Sequence, residues 1–527
     1  MGVPRYICGM YTRRKPNKTG NVSVQVISKY RGRSKVVKSF GAGRCESELC
    51  DLESKARRYI CQQQGLTNTL FPDPLEKYIE DFVSTLSNCH IRVIGPELVF
   101  GALYDKIGYK SIGDELFRHL VITRMFNLGS KLKTIDYLYR YQGQSYSTDK
   151  IYRFLDNLCY RKEKDKEPDI KTKVEKIAYS HTCKILGGSP AIIFYDMTTL
   201  YFESSDEDDL RKTGFSKDGK HRCPQIFLGL LVSLGGNPIG YDIFEGNIFE
   251  GNTLIPVLKQ IQSKFSLDKP IVVADSGLLS KENIRLLEED EYKYIIGARP
   301  KNESEEIKKK ILSFSMRDGQ VRLIRKNKNT RLVLSMSDKR ARKDAYNRSK
   351  GLECLKKRVE SGKLTKSNIN NRGYNKYLRM EGKIEISIDM EKYNQDAFWD
   401  GIKGYVTNTS LSGKNVIDNY NNLWFIERAF RINKTDLRIR PIYHRLRNRI
   451  EGHICICFTA YTVLLELERM LKKAKSEITI NRAQELVKNM YCLDYHLPET
   501  NKYESKVLNM DREQKELYKL VLKWTEK

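Results

Sequence analysis

No stretch of the 527 residues approaches the ~18 consecutive apolar residues of a membrane span, so none is expected. Met1 to Lys18 brings basic side chains without the apolar centre of a signal peptide, and the chain is expected to stay in the cytoplasm. GxGxxG and P-loop patterns are missing from any usable context, which argues against a nucleotide cofactor. Periodic repeats and low-complexity tracts are also missing. The 12 cysteines lack zinc-finger spacing: Cys45 and Cys50 form the closest candidate pair, no second pair follows, and Cys455 and Cys457 sit in the apolar run HICICFTAYTVLL. They read as reduced core thiols, which excludes a disulfide framework.

Acidic residues are in short supply. Lys and Arg number 94 against 66 Asp and Glu, a formal net charge of +28. Such an excess sets up a long-range attractive field and favours a polyanionic partner, nucleic acid ahead of an anionic membrane. With 40% apolar residues, the chain is long enough for about two to four domains with sizeable cores.

Residues 1–45 are expected to form a basic β arm. The first 40 residues hold ten Lys and Arg and no acid, Val22, Val24 and Val26 alternate with polar neighbours as in a half-buried strand, and Gly41 and Gly43 end the segment. Such an arm either lies along a phosphate backbone or packs as a small sheet with its charges in water. Residues 46–185 turn helical, with apolar residues at threes and fours in GPELVFGALYDKIG, ELFRHLVITRMFN and STDKIYRFLDNL. They carry Arg118, Arg124, Lys131, Lys133, Arg140, Lys150 and Arg153, the composition of a helical DNA-binding domain and equally of a helix bundle with exposed cations.

From residue 186 the texture alternates between strand and helix. SPAIIFYD reads as a buried strand ending at Asp196, and QIFLGLLVSL with PIGYDIF as a hairpin through Gly235, Gly236 and Asn237. NTLIPVLKQIQSKF reads as a helix, PIVVAD as a strand ending at Asp275, KENIRLLEED as a helix and YKYIIGA as a strand. Residues 186–300 therefore predict an α/β core in which an antiparallel meander enters a parallel region. Residues 301–395 look like a β-rich basic insertion, with strands at QVRLIRK, RLVLSMS and KIEISIDM and fourteen Lys and Arg against four acids from Asp338 to Met380. The core resumes over 396–475, with one long helix expected from about Asn419 to Lys434 and another across RLRNRIEGHICICFTAYTVLLELERML. Residues 476–527 form a charged helical tail.

Asp196 and Asp275 each follow an apolar run, so each is held by a sheet while facing the crevice at its end. One such Asp often only caps a helix or starts a turn. Two of them in a strongly basic chain suit phosphodiester chemistry, in which magnesium takes few protein carboxylates and leaves places for water and phosphate oxygens. Glu427, in NYNNLWFIERAFRINK, is the best third ligand: on one continuous helix Tyr420 and Lys434 lie two turns to either side of it. The plainer alternative pairs Glu427 with Arg431 on a surface helix. Paired carboxylates also serve glycoside hydrolysis, against which the charge and the basic insertion argue.

This segment resembles the Tyr-Arg-Glu-Lys signature of bacterial and archaeal insertion-sequence transposases of the DDE class: Tyr, two residues, Arg, three residues, Glu, six residues, Lys. Tyr420, Glu427 and Lys434 match, and Leu423 stands where the signature has Arg, with Arg428 and Arg431 nearby as sources of charge. YDMTTLYF around Asp196, GFSKDGKHRCPQIFLGLLVSLGGNPIGYDIFEGNIFEGNTL, VVADSGLLS around Asp275 and the basic insertion within the 427 − 275 = 152 positions before Glu427 are similar to the same group. The likeness extends over most of residues 90 to 475.

The resemblance implies a ribonuclease H-like core in which Asp196, Asp275 and Glu427 hold two Mg2+, with Mn2+ able to substitute. It implies cleavage at transposon terminal inverted repeats, attack of the freed 3′-hydroxyl on target DNA and a homodimer holding two ends. Members of the group place tryptophans to hold a distorted base, positions comparable to Trp399 and Trp424, which otherwise read as core residues. Tyr420, Arg431 and Lys434 are the implied phosphate contacts. Thr198, Thr199 and Lys217 are further candidates near Asp196, Gly246 and Asn247 read as a turn, and His453 reads either as a neighbour of the site or as a core histidine. A DNA-binding regulator of the same descent and a ribonuclease H-like nuclease without strand transfer are the alternatives.

Overall fold

The computed structural model describes residues 9–17, 21–30, 33–43, 46–63, 79–80, 82–84, 86–87, 90–160, 168–216, 219–265, 269–362, 364, 369–370, 373–381, 385–497 and 502–526. Cys45 and Lys217 lie outside them. The chain divides into two units, residues 1–90 with 495–504, and residues 91–494 with 505–527.

In the first unit, β1 (Gly9–Pro16), β2 (Val22–Tyr30) and β3 (Arg33–Gly43) form an antiparallel sheet in that order. Val24 and Val26 turn inward as their alternation predicts and meet Leu49 and Ala56 of the helix Glu46–Gln63 in a small core. That helix, expected to begin the helical module, packs on the sheet instead, and Arg14 pairs with its Glu53 at 2.7 Å. A three-stranded sheet with one buried face needs such a cover to be stable.

The second unit opens with helices Glu115–Phe126, Lys131–Gln142, Thr148–Leu158 and Ile170–Leu186. Asp114, Ser130, Ser147 and Asp169 cap them by accepting from the third backbone N–H of each. The helix Arg447–Lys473 is buried along almost its whole length, which explains its unbroken apolar sequence, Cys455 and Cys457 included.

Behind these helices stands a large mixed sheet. After the short β4 (Ile91–Val93) come β5 (Ile192–Tyr201), β6 (Gln225–Ser233), β7 (Pro238–Glu245), β8 (Ile271–Ala274), β9 (Lys293–Ala298), β10 (Val321–Arg325) and β11 (Arg331–Met336). They are followed by the separate hairpin β12 (Leu378–Glu381) and β13 (Glu385–Ile388), by β14 (Ile402–Thr407), and by β15 (Tyr491–Leu497) and β16 (Lys502–Val507). The main sheet has eight strands in the order β10-β11-β14-β9-β8-β5-β6-β7. Strands β5, β8 and β9 run parallel, and the remaining pairs are antiparallel. Ile193, Tyr195, Val272 and Ile296 face helices Leu254–Phe265 and Lys281–Glu289, while Phe194, Val273, Ile295 and Tyr405 face helices Gly413–Asn421, Trp424–Thr435 and Arg447–Lys473. The architecture is mixed α/β, a sheet covered by helices on both faces.

Four details depart from expectation. Strand β5 does not end at Asp196 but continues to Tyr201, because MTTLY still pairs with β6. Two strands of the expected insertion, β10 and β11, extend the main sheet, and the basic stretch after them opens with a 23-residue helix, Asp338–Glu360, so β structure of the insertion separate from the main sheet is reduced to the hairpin β12–β13. The helix expected from Asn419 to Lys434 is two, Gly413–Asn421 and Trp424–Thr435: the backbone N–H groups of Leu423 and Ile426 bond only three residues back, to Tyr420 and Leu423, and tighten the turn between them. The tail carries the strands β15 and β16 besides its helices. Among the described residues, no helix is long and apolar enough to cross a membrane.

Candidate active site

Parallel pairing of β5 with β8 brings the two aspartates side by side. Tyr195 is opposite Ala274, so the next position on each chain is Asp196 and Asp275, on strands about 5 Å apart. Ala274 is opposite Ile296 and Gly297 is opposite Tyr405, which carries the same level across β9 to β14. Asp196 stands within β5 between two hydrogen-bonded neighbours, and Asp275 leaves the carboxyl end of β8, where open α/β sheets form their crevices.

The opposite wall comes from the helix pair. Asp196, Asp275, Tyr420, Leu423, Trp424 and Glu427 line one cavity of about 410 Å3. The Tyr420 hydroxyl donates a 2.8 Å hydrogen bond to Oδ1 of Asp275. Its ring packs edge-on against Tyr405 with centroids 4.8 Å apart. Gly297 makes room for it, since a Cβ there would lie 2.4 Å from the Tyr420 hydroxyl and 3.1 Å from the backbone nitrogen of Ser276.

Cations complete the cavity. Lys403 and Arg340 line it, and the Lys403 ammonium lies 4.4 Å from the centre of the Tyr420 ring. Burial lowers the Lys403 pKa and Arg340 adds to this, while Asp275 and Glu427 oppose the shift. The Tyr420 phenol is pushed up, first by burial and then by the negative charge of Asp275, so it stays a donor at any working pH. Three carboxylates facing two cations in one crevice can hold a phosphodiester and neutralise charge that develops on it.

Tyr420 and Glu427 share the cavity even though the helix between them is broken, so it is the packing of two helices, not a common helical face, that brings them together. Trp424 is half exposed at the rim, with its ring 4.2 Å from that of Phe425. Trp399 lines a neighbouring cavity that shares Ser276, Ala298 and Arg340 with the first. Lys434 and Arg431 do not line the carboxylate cavity, and Arg428 is ion-paired with Glu468. Thr198 and Thr199 are buried in β5. His453 is a core histidine, its Nε2 3.1 Å from the Ile439 carbonyl, and lines a different cavity. Gly246 passes close to the backbone of Gln225 and Lys212.

Sequence reasoning missed Arg340, Lys403 and Gly297. Arg340 was one of fourteen cations in the basic stretch and gave no signal of its own. Lys403, in the strand sequence GIKGYVTN, is the only charge among apolar and small neighbours, a signal that was available.

Among the described residues, no group of three or more His, Cys, Asp and Glu side chains converges to hold a metal ion. The donor chemistry nonetheless fits magnesium, which binds one or two carboxylates, keeps several waters and needs no closed protein cage.

A family model described as "Transposase DDE domain" matches residues 187–463. Among solved structures, the cryo-EM structure of the piggyBac transposase synaptic complex with hairpin DNA is similar at 11% identity, with 71% of this chain and 69% of that chain covered and a TM-score of 0.37. The Mos1 transposase paired-end complex with left transposon end is similar at 13% identity, over 34% of this chain and 56% of that chain, with a TM-score of 0.15. No curated protein matches.

Proposed function

The chain belongs to the transposase DDE domain family, whose match takes in 463 − 187 + 1 = 277 of its 527 residues, and from that premise we propose that it cuts transposon ends and joins the freed 3′-hydroxyl to target DNA. One observation carries the assignment of the centre. Asp196, Asp275 and Glu427, from three separate parts of the chain, line a single cavity together with Lys403 and Arg340. Three carboxylates lining one cavity in a chain of net charge +28 are poorly explained by surface electrostatics and well explained by phosphodiester chemistry.

On this reading Asp196, Asp275 and Glu427 are the metal ligands. A bound pair of Mg2+ or Mn2+ ions supplies Lewis-acid activation of water and stabilisation of the leaving oxygen. The protein's own groups do the rest. Tyr420 holds the Asp275 carboxylate in one orientation through its hydroxyl. Lys403 and Arg340 counter the charge of the scissile phosphate, taking the place of the Arg that the signature has at Leu423. Trp424 offers a half-exposed ring on which an unpaired base can stack. Cleavage and joining are both in-line displacements at phosphorus, so one set of groups serves both and no covalent protein intermediate forms. The meander-then-parallel order of β7-β6-β5-β8-β9 supports a ribonuclease H-like core. A homodimer on paired terminal inverted repeats follows from the need to hold two ends.

The test is a strand-transfer assay with the element's terminal inverted repeats and magnesium. Asp196→Asn, Asp275→Asn and Glu427→Gln are each expected to lower joined product by at least ~10³-fold while leaving DNA binding intact. Joined product that persists in any of the three removes that residue from the centre. Cleavage without joining would leave a nuclease, and binding without cleavage would leave a regulator.

A further inference from the structure

A second cavity, of about 580 Å3, lies away from the carboxylates and contains no acid among its lining residues. Arg124 and Lys131 enter it from the helical module, and Arg438 and Arg440 from the segment that follows the helix bearing Glu427. His444 and His453 close it. The N-terminus of the helix Lys131–Gln142 also opens there, adding its backbone dipole to the same positive field.

This charge is built in, not displayed on the surface. Arg124 is 8% exposed, Lys131 8% and His453 6%. Arg124 donates to the carbonyls of Gly129 and Arg438, and Arg438 is held at a left-handed φ of 44°. Arg124 Nε and His453 Nδ1 are nevertheless buried without a partner. The His453 ring donates from Nε2 to the Ile439 carbonyl, and burial, with Arg124 and Lys131 beside it, lowers its pKa well below the usual imidazole value, so the ring stays neutral and the built-in charge is that of Arg124 and Lys131. Asp156 acts on His444 from outside the lining, and it is paired with Arg449 at 2.7 Å. Two buried cations, one with an unpartnered guanidinium N–H, and two further arginines lining one cavity are the complement of an oxyanion.

We propose that this cavity is an oxyanion site that seats a phosphate group, supplied by the DNA backbone. The phosphate chemistry stands on the cavity alone, whereas DNA as its source rests on the function proposed above. A strand seated there would touch the helical module and the segment leaving the Glu427 helix at once.

The experiment uses the full chain and two variants, Lys131→Met and Arg440→Gln. Thermal melting and calorimetric titration with inorganic phosphate, against chloride at fixed ionic strength, test the site without any need for transposition. Phosphate is expected to raise the wild-type melting temperature, and each variant to bind it about tenfold more weakly. A wild-type chain indifferent to phosphate, or variants that bind it as tightly as wild type, would overturn the proposal. Lys131→Met removes a buried charge and is expected to melt no lower than wild type in chloride, so lost binding is not lost folding. Anisotropy with a labelled duplex then identifies the source. With DNA as supplier, each variant weakens binding for all sequences alike and reduces the log–log salt slope by about 1. Variants that lose inorganic phosphate but keep the wild-type DNA affinity and slope would overturn DNA as the source and leave a site for free phosphate.

Discussion

Tyr420 holds Asp275 by a 2.8 Å hydrogen bond from its hydroxyl, across the gap between a helix and the end of a central strand. The two residues are 145 positions apart, and their contact fixes where the helix Gly413–Asn421 sits over the sheet. It also engages one oxygen of Asp275, a residue that lines the carboxylate cavity.

Tyr420→Phe removes that bond and nothing else of the ring. Cleavage by the pre-assembled complex is expected to fall about tenfold, as befits a lost charge-assisted bond that orients a carboxylate, with DNA affinity unchanged. Single-turnover kinetics beside a binding titration separate the two, and a loss confined to affinity would make Tyr420 a DNA contact instead.

Gly297→Ala reaches the same contact from the sheet. The added Cβ would meet the Tyr420 hydroxyl at 2.4 Å and the Ser276 nitrogen at 3.1 Å, so the phenol must withdraw from Asp275. Destabilisation of about 1–3 kcal/mol is expected, with a catalytic defect at least as large as that of Tyr420→Phe. The double variant should be no slower than Gly297→Ala alone, since both disrupt one bond.

Arg340 should announce itself through salt. Arg340→Ala is expected to weaken DNA binding and lower the slope of log affinity against log salt concentration by about 1. Anisotropy from low to moderate salt measures it. An unchanged slope would confine Arg340 to the local electrostatics of Lys403.

How much of this was legible is best judged at Asp196 and Tyr420. The apolar runs before Asp196 and Asp275 announced both strands and the alternation of strand and helix a parallel region, but the pairing of β5 with β8 that makes the two aspartates neighbours was not legible, because a hairpin and a helix separate them in the chain. The continuation of β5 was not legible, because MTTLY reads as strand only once β6 is beside it. The helix break was not legible either: Asn421 and Asn422 favour turns, but the 3.6-residue pattern runs on through them. The same oversight in reverse applies to β10 and β11, whose alternation was clear but whose partner, β14, lies about 70 residues further on. Local pattern fixes the type of an element, and only long-range pairing fixes its sheet.

Lys131 offers a prediction about stability. Its ammonium is lowered to about 8 by burial, with Arg124 adding to the effect. Below pH 8 both the folded and the unfolded chain carry the proton and the folded state bears the full cost of the buried charge, on the order of 3 kcal/mol. Between about pH 8 and 10.5 the folded state has shed its proton while the unfolded chain keeps it, so this cost shrinks as pH rises. In phosphate-free buffer Lys131→Met is therefore expected to be more stable than wild type at pH 7, with an advantage that fades toward pH 10.5. Denaturant titrations across that range check it, and a gap that stays constant would mean Lys131 is solvated.

The unequal mounting of the three carboxylates sets how this centre can be adjusted. Asp196 is opposite Leu230 on one side and follows a residue opposite Ala274 on the other. A strand moves in its ladder only by whole steps, and one step would turn Asp196 to the other face. Its place is a fixed datum. Glu427 is carried by a helix entered through the tightened turn at Asn422 and Leu423 and held in the core by Ile426, Ala429 and Phe430 and by the Arg428–Glu468 ion pair. Its place over the aspartates is therefore set by side-chain packing and not by ladder register, so a change of volume at Ile426 or Ala429 is passed along the helix to Glu427 while the register of β5 still holds Asp196.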